Sequence, residues 1–206
     1  MTDFVRSQLE ATVETIRAVQ EEGGLQQILI AAAKHTAQAM ASSKKLMVAG
    51  NGGSAADAQH LVAEFVSRMT VDRPAMRAIA ITTDTSILTA VSNDYGFDLV
   101  FQRQIEALGL AGDVFVAIST SGRSSNIIKA LQHCRNVGIT TIGLTGNNES
   151  LMEPWCDYFL AVPSSITHNI QEAHLALEHI YCQLTERFYF GAERLASAEL
   201  RAVVTA

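Results

Sequence analysis

Leu46-Met47-Val48-Ala49-Gly50-Asn51-Gly52-Gly53-Ser54 is an apolar run of strand length that stops in a glycine-rich turn and opens a helix-patterned segment. The same plan recurs where Val114 to Ile118 runs into Ser119-Thr120-Ser121-Gly122-Arg123-Ser124. A short run that is apolar throughout suits a strand buried on both faces, as in a parallel sheet covered by helices. Working outward, Ala78 to Ile81, Thr140 to Leu144 and Tyr158 to Val162 read the same way and alternate with helical stretches. Strand and helix in alternation, joined by right-handed crossovers, predict an α/β fold: a five-stranded parallel sheet in an α/β/α sandwich. Ahead of it, Leu9, Val13, Ile16, Val19, Leu25, Ile28 and Ala32 recur at three- and four-residue steps, broken at Gly23-Gly24, and predict two helices. Their apolar stripes need a cover, either a second copy of the chain or its own sheet. A last long helix is expected from Ile170 to Phe188, ending at Gly191. The chain thus reads as one domain: N-terminal helices 1–42 for oligomerisation, α/β core 43–165, C-terminal helix 166–190 and tail 191–206.

Composition narrows the function. With 206 residues, 48% hydrophobic, the chain is long enough for one well-buried core. A net charge of -6 and the absence of any basic run exclude a nucleic-acid surface, whose affinity comes from clustered Lys and Arg. Cys134, Cys156 and Cys182 lack the spacing of a zinc knuckle or redox dithiol, so buried reduced thiols and a cytoplasmic location are expected. Neither a signal core nor a membrane span is expected, since the run from Ile28 to Ala33 is too short to cross a bilayer.

Both glycine- and serine-rich turns fall where a strand ends and a helix begins. Free N–H groups there carry the positive end of the helix dipole, so each turn is a candidate cradle for an anion such as phosphate. Gly50, Gly52 and Ala55 also fit the dinucleotide pattern G-x-G-x-x-A. That rival needs an acid closing the second strand, and Asp84 comes too late. Ser119, Thr120, Ser121 and Ser124 supply more hydroxyls than one helix cap uses. Arg123 adds charge to that turn or points to solvent.

His60 and Glu64 form an i, i+4 pair on the helix opened by the first cradle, either metal ligands or a helix-stabilising pair. On the last helix, Gln171, His174 and Glu178 share a stripe, while His179 lies about 80° round and about 12 Å along from Gln171. Spacing alone does not select Gln171 with His179.

The motifs Gly50-Asn51-Gly52-Gly53-Ser54 through His60 and Glu64, then Ser92-Asn93-Asp94-Tyr95-Gly96, Ser119-Thr120-Ser121-Gly122 and Ile170-Gln171-Glu172-Ala173-His174 occur in the order seen in phosphoheptose isomerases, which the chain resembles to about Phe188. The resemblance implies the sugar isomerase (SIS) fold, a homotetramer with sites at subunit contacts, and interconversion of D-sedoheptulose 7-phosphate with D-glycero-D-manno-heptose 7-phosphate for surface-glycan heptose. It implies one zinc per subunit on His60, Glu64, Gln171 and His179, with Glu64 and His179 as the acid-base pair. It places Asn51, Gly52, Gly53, Ser54, Glu64, Asn93, Asp94, Ser119, Thr120, Ser121, Ser124 and Gln171 against the substrate, although Asn93 and Asp94 are also ordinary turn residues. Many relatives carry Asp-Arg before Ile-Gln, where this chain has His168-Asn169, a departure that bears on substrate length. The chain also resembles the DnaA initiator-associating protein, a binding module of the same fold in which the positions corresponding to Glu64 and His179 are not Glu and His. An isomerase or sensor for another ketose phosphate is a third reading.

Overall fold

The computed structural model describes residues 1–191. Strands β1 (Leu46–Gly50), β2 (Ala78–Ala80), β3 (Val114–Ile118), β4 (Thr140–Gly146) and β5 (Tyr158–Val162) form one parallel sheet in the order β2-β1-β3-β4-β5. All five expected strands are present; β1 reaches Gly50, β4 reaches Gly146, and β2 stops at Ala80. The helices are α1 (Thr2–Glu21), α2 (Gly23–Ala41), α3 (Gly53–Val66), α4 (Thr85–Tyr95), α5 (Val100–Leu108), α6 (Ser125–Asn136) and α7 (Thr167–Phe190). The expected tail beyond Gly191 lies outside the described residues.

Side chains alternate across a strand, so a strand buried along its whole length feeds two cores. Leu46, Val48, Val114, Val116 and Ile118 pack against Leu29 of α2, Leu61 and Phe65 of α3, and Leu177 and Tyr181 of α7. Met47, Ala49, Phe115 and Ala117 pack on the other face with Phe101 and Ile105 of α5 and Ile127 and Leu131 of α6. At the N-terminal ends of β1 and β3, the buried Asp113 carboxylate accepts from the Lys45 and Leu110 amides at 2.9 and 2.8 Å and pairs with the Lys45 ammonium.

The two N-terminal helices behave differently. Helix α2 covers its own sheet, with Leu25, Leu29, Ala32, Ala33 and Met40 in the core, so its stripe is not available to another copy. Helix α1 lies outside against α7, where the Thr12 hydroxyl donates to Glu172, and it leaves Phe4, Val5, Leu9 and Val13 exposed. Cys134 and Cys182 are buried and Cys156 half-buried, all as free thiols whose pKa values burial pushes up. Among the described residues, no helix is long and apolar enough to cross a membrane.

The chain leaves β1 toward β2 on one side and returns to β3 on the other. The strand order therefore reverses between β1 and β3, and the crevice beyond their C-terminal ends is where such sheets take ligands.

Candidate functional site

Both predicted cradles open into that crevice. In the first, Gly52 takes φ 57° as it caps α3, a conformation that costs an L residue strain but glycine little. Ser54 is buried in the first turn, and its amide donates to the Asn51 carbonyl at 3.1 Å. In the second, Ser119 is buried, its amide donates to the Leu144 carbonyl at 3.0 Å, and its hydroxyl lies 2.9 Å from that of Ser124, the cap of α6. Thr120 accepts from the Gly146 amide at 3.2 Å, and the exposed Ser121 hydroxyl accepts from the Arg123 amide at 3.2 Å. The Arg123 guanidinium turns to the surface and meets Glu149 at 3.0 Å.

One residue that spacing did not reveal joins the cradles. Asn126, in the first turn of α6 and 2% exposed, donates to the Asn51 side chain at 3.0 Å and accepts from it at 2.9 Å. Its carbonyl oxygen also accepts from the Ile127 amide at 2.9 Å. Asn51 and Asn126 thus satisfy each other across the switch point and hold the two loops in one register.

Helices α3 and α7 bring the reactive candidates together. The Nε2 atoms of His60 and His179 lie 2.8 Å apart with the rings edge to face, and Glu64 Oε1 is 3.7 Å from His60 Nε2. One ligand atom from each of His60, Glu64 and His179 lies within 4.8 Å of the others. Two imidazoles and a carboxylate suit a borderline cation. A tetrahedral zinc with bonds of about 2.0–2.1 Å spaces its ligands roughly 3.3 Å apart, so this trio fits once the imidazoles part by about half an ångström.

Gln171 sits further toward the cradle. A Cβ on Gly53 would collide with its amide, so the side chain rests directly on the start of α3. Asn93 and Asp94 lie exposed in the last turn of α4, not in a turn between elements; Asn93 donates to Asp94 at 2.8 Å, and no hydrogen bond among the described residues ties either to a cradle. Asp84, the acid weighed for a ribose, caps α4 by accepting from the Ile87 amide at 2.9 Å. His168 is exposed, whereas Asn169 is buried with no partner for Oδ1 among the described residues.

The rest of the stripe predicted on the last helix faces inward. Burial pushes the Glu178 carboxyl up to about 8, reinforced by Asp57, whose own pKa burial raises against the opposing charge of His60. His174 Nε2 lies 3.2 Å from the Thr145 carbonyl, to which it donates, and burial lowers its pKa to about 4. Because the folded pKa lies below the unfolded value near 6.5, His174 contributes stability above pH 6.5 that is lost as pH falls through 4, at most about 3 kcal/mol. In denaturant titrations the stability difference between wild type and His174→Gln should be constant above pH 6.5 and shift against the wild type as pH falls from 6.5 toward 4; parallel pH profiles would remove His174 as the cause.

The SIS domain family profile matches residues 8–146. A phosphoheptose isomerase from Aneurinibacillus thermoaerophilus is 46% identical over 190 residues, 92% of this chain and 96% of that one. Another from Akkermansia muciniphila is 44% identical over 192 residues, 93% of this chain and 100% of that one. The solved structure of a phosphoheptose isomerase from Neisseria gonorrhoeae superposes with a TM-score of 0.81 at 41% identity, covering 90% of this chain and 98% of that one.

Proposed function

The chain belongs to the SIS-domain family and within it to the phosphoheptose isomerases, and from that premise we propose that it interconverts D-sedoheptulose 7-phosphate and D-glycero-D-manno-heptose 7-phosphate in heptose biosynthesis. The observation that carries the reading is the meeting of Glu64 and His179 from separate helices at one point, beside a crevice lined by two phosphate cradles.

The spacing suits a seven-carbon substrate. Gly53 at the cradle and His60 at the cluster lie seven residues apart on α3, about 10 Å along its axis. A phosphate on C7 of an extended heptose lies roughly 9–10 Å from C1 and C2 at a bond length of about 1.5 Å. With the ester held at the amides that open α3, and the hydroxyls of Ser119, Thr120, Ser121 and Ser124 completing the grip, the carbonyl end would reach Glu64 and His179.

Aldose-ketose conversion moves a proton between C1 and C2 and redistributes protons on O1 and O2. Glu64 and His179 divide these tasks: one acts on carbon through a cis-enediol, the other on oxygen and in ring opening. His60, Glu64 and His179 hold one zinc per subunit, with Gln171 as the proposed fourth ligand. When bound, zinc supplies a fixed positive charge beside O1 and O2. Asn51, Gly52, Gly53, Ser54, Asn93, Asp94 and Gln171 complete the substrate contacts. The exposed apolar face of α1 supports a homotetramer, with further copies covering Phe4, Leu9 and Val13.

Incubation with sedoheptulose 7-phosphate in deuterated water should place label at C1 or C2 and yield the aldose. Tight phosphosugar binding with neither label nor product would favour a binding module instead. Gly53→Ala tests the cradle directly: the added methyl must displace the Gln171 amide, and kcat/KM should fall about 10- to 100-fold with the fold intact. Wild-type kinetics in that variant would show that the position of Gln171 is immaterial.

A further inference from the structure

Beyond the cluster, Arg73 joins the two helices that carry it. Its guanidinium is almost fully buried: Nε and Nη2 donate to Glu186 Oε1 at 2.8 and 2.5 Å, Nη2 donates to the Glu64 carbonyl at 2.6 Å, and Nη1 donates to the carbonyls of Phe65 and Ser67 at 2.7 and 3.2 Å. Those carbonyls end α3 and have no partner within the helix, so a fixed cation there also meets the negative end of its dipole. Glu186 lies seven residues beyond His179 on α7, two turns along and within about 20° of the same side. One rigid fork therefore grips the backbone of Glu64 and, through Glu186, the segment of α7 that carries His179.

We propose that the buried Arg73–Glu186 pair is a positioning device that fixes Glu64 and His179 at their working separation. A buried pair replaced by apolar groups of similar volume is often no less stable. A pair kept for stability alone could thus be exchanged without consequence, whereas a carbonyl grip could not. Lysine does not reproduce it either, because one ammonium cannot span Glu186 and several carbonyls in the guanidinium plane.

The kinetic part of the test rests on the isomerase reading; a metal-binding part does not. Arg73→Lys and the double variant Arg73→Met/Glu186→Leu should lower kcat about 10- and 100-fold with KM for sedoheptulose 7-phosphate within about twofold, since the cradles are untouched. Affinity of the His60-Glu64-His179 cluster for cobalt(II), read from its visible absorption in the full-length protein, should fall about 10-fold in both. Asp113→Asn is the control, because it breaks a buried ion pair at the opposite end of the strands and should lower Tm while leaving kcat and cobalt affinity unchanged. Full kcat and cobalt affinity in the folded double variant overturn the proposal, as do losses no greater than those of Asp113→Asn. If the wild type does not isomerise, the functional reading fails and the cobalt titration alone decides: weakened binding in the Arg73 variants upholds the positioning role, and unchanged binding ends it.

Discussion

Glu64→Gln should lower isomerisation about 10³-fold and leave phosphosugar binding in place. Glutamine keeps the shape of the side chain, and Arg73 still holds the carbonyl of residue 64, so α3 has no cause to move. What disappears is the carboxylate grouped with His60 and His179, and with it both one member of the proposed acid-base pair and the anionic member of the candidate cation site. The ester, in the proposed reading held by the loops after β1 and β3, should not depend on either. Calorimetric titration with sedoheptulose 7-phosphate should therefore give a Kd within a few-fold of wild type in a variant whose deuterium exchange at C1 and C2 has been lost. Retention of more than a tenth of wild-type turnover would remove Glu64 from the acid-base pair and leave His179 to act with another group.

Asn126→Leu should cost about 3 kcal/mol of stability and about 100-fold in kcat/KM. Leucine removes three hydrogen bonds at once and leaves the half-buried Asn51 amide and the buried Ile127 N–H without these partners, and burial is what makes an unmade hydrogen bond costly. Because those bonds are the tie between the loops after β1 and β3, the cradles should also lose their common register. A double-mutant cycle with Asn51→Leu checks the origin: both single changes break the same reciprocal pair, so the double variant should be far less destabilised than the sum. Additive losses would mean that the two amides act independently and that the tie is incidental.

The parts of the candidate site whose local structure was legible in the sequence are those in which chemistry and chain position coincide. Gly50 to Ser54 and Ser119 to Ser124 announce themselves because a strand, a small-residue turn and a helix follow one another directly, and the free amides of a helix start need no distant partner. His60 and Glu64 were legible for the same reason, as neighbours one turn apart. His179 came only from the family resemblance and not from spacing, since on α7 the regular stripe is Gln171, His174 and Glu178. The structure sends His174 and Glu178 into the interior and gives His179 to the cluster, because α7 is rotated by packing Leu177 and Tyr181 against the sheet. The N-terminal helices show the same limit: both carry apolar stripes, yet the sheet accepts α2 and leaves α1 outside.

The sequence by itself determined the parallel sheet, the two glycine- and serine-rich turns at its strand ends and the His60–Glu64 pair on one face of α3. All of these rest on interactions within a few residues of one another, where strand burial, turn conformation and helix periodicity act directly. Only the tertiary structure decided that Asn126 meets Asn51, that Arg73 reaches Glu186 and that His179 faces His60. Each of those contacts joins segments separated by 75 to 119 residues, and what brings them together is the burial of apolar faces elsewhere on the same helices.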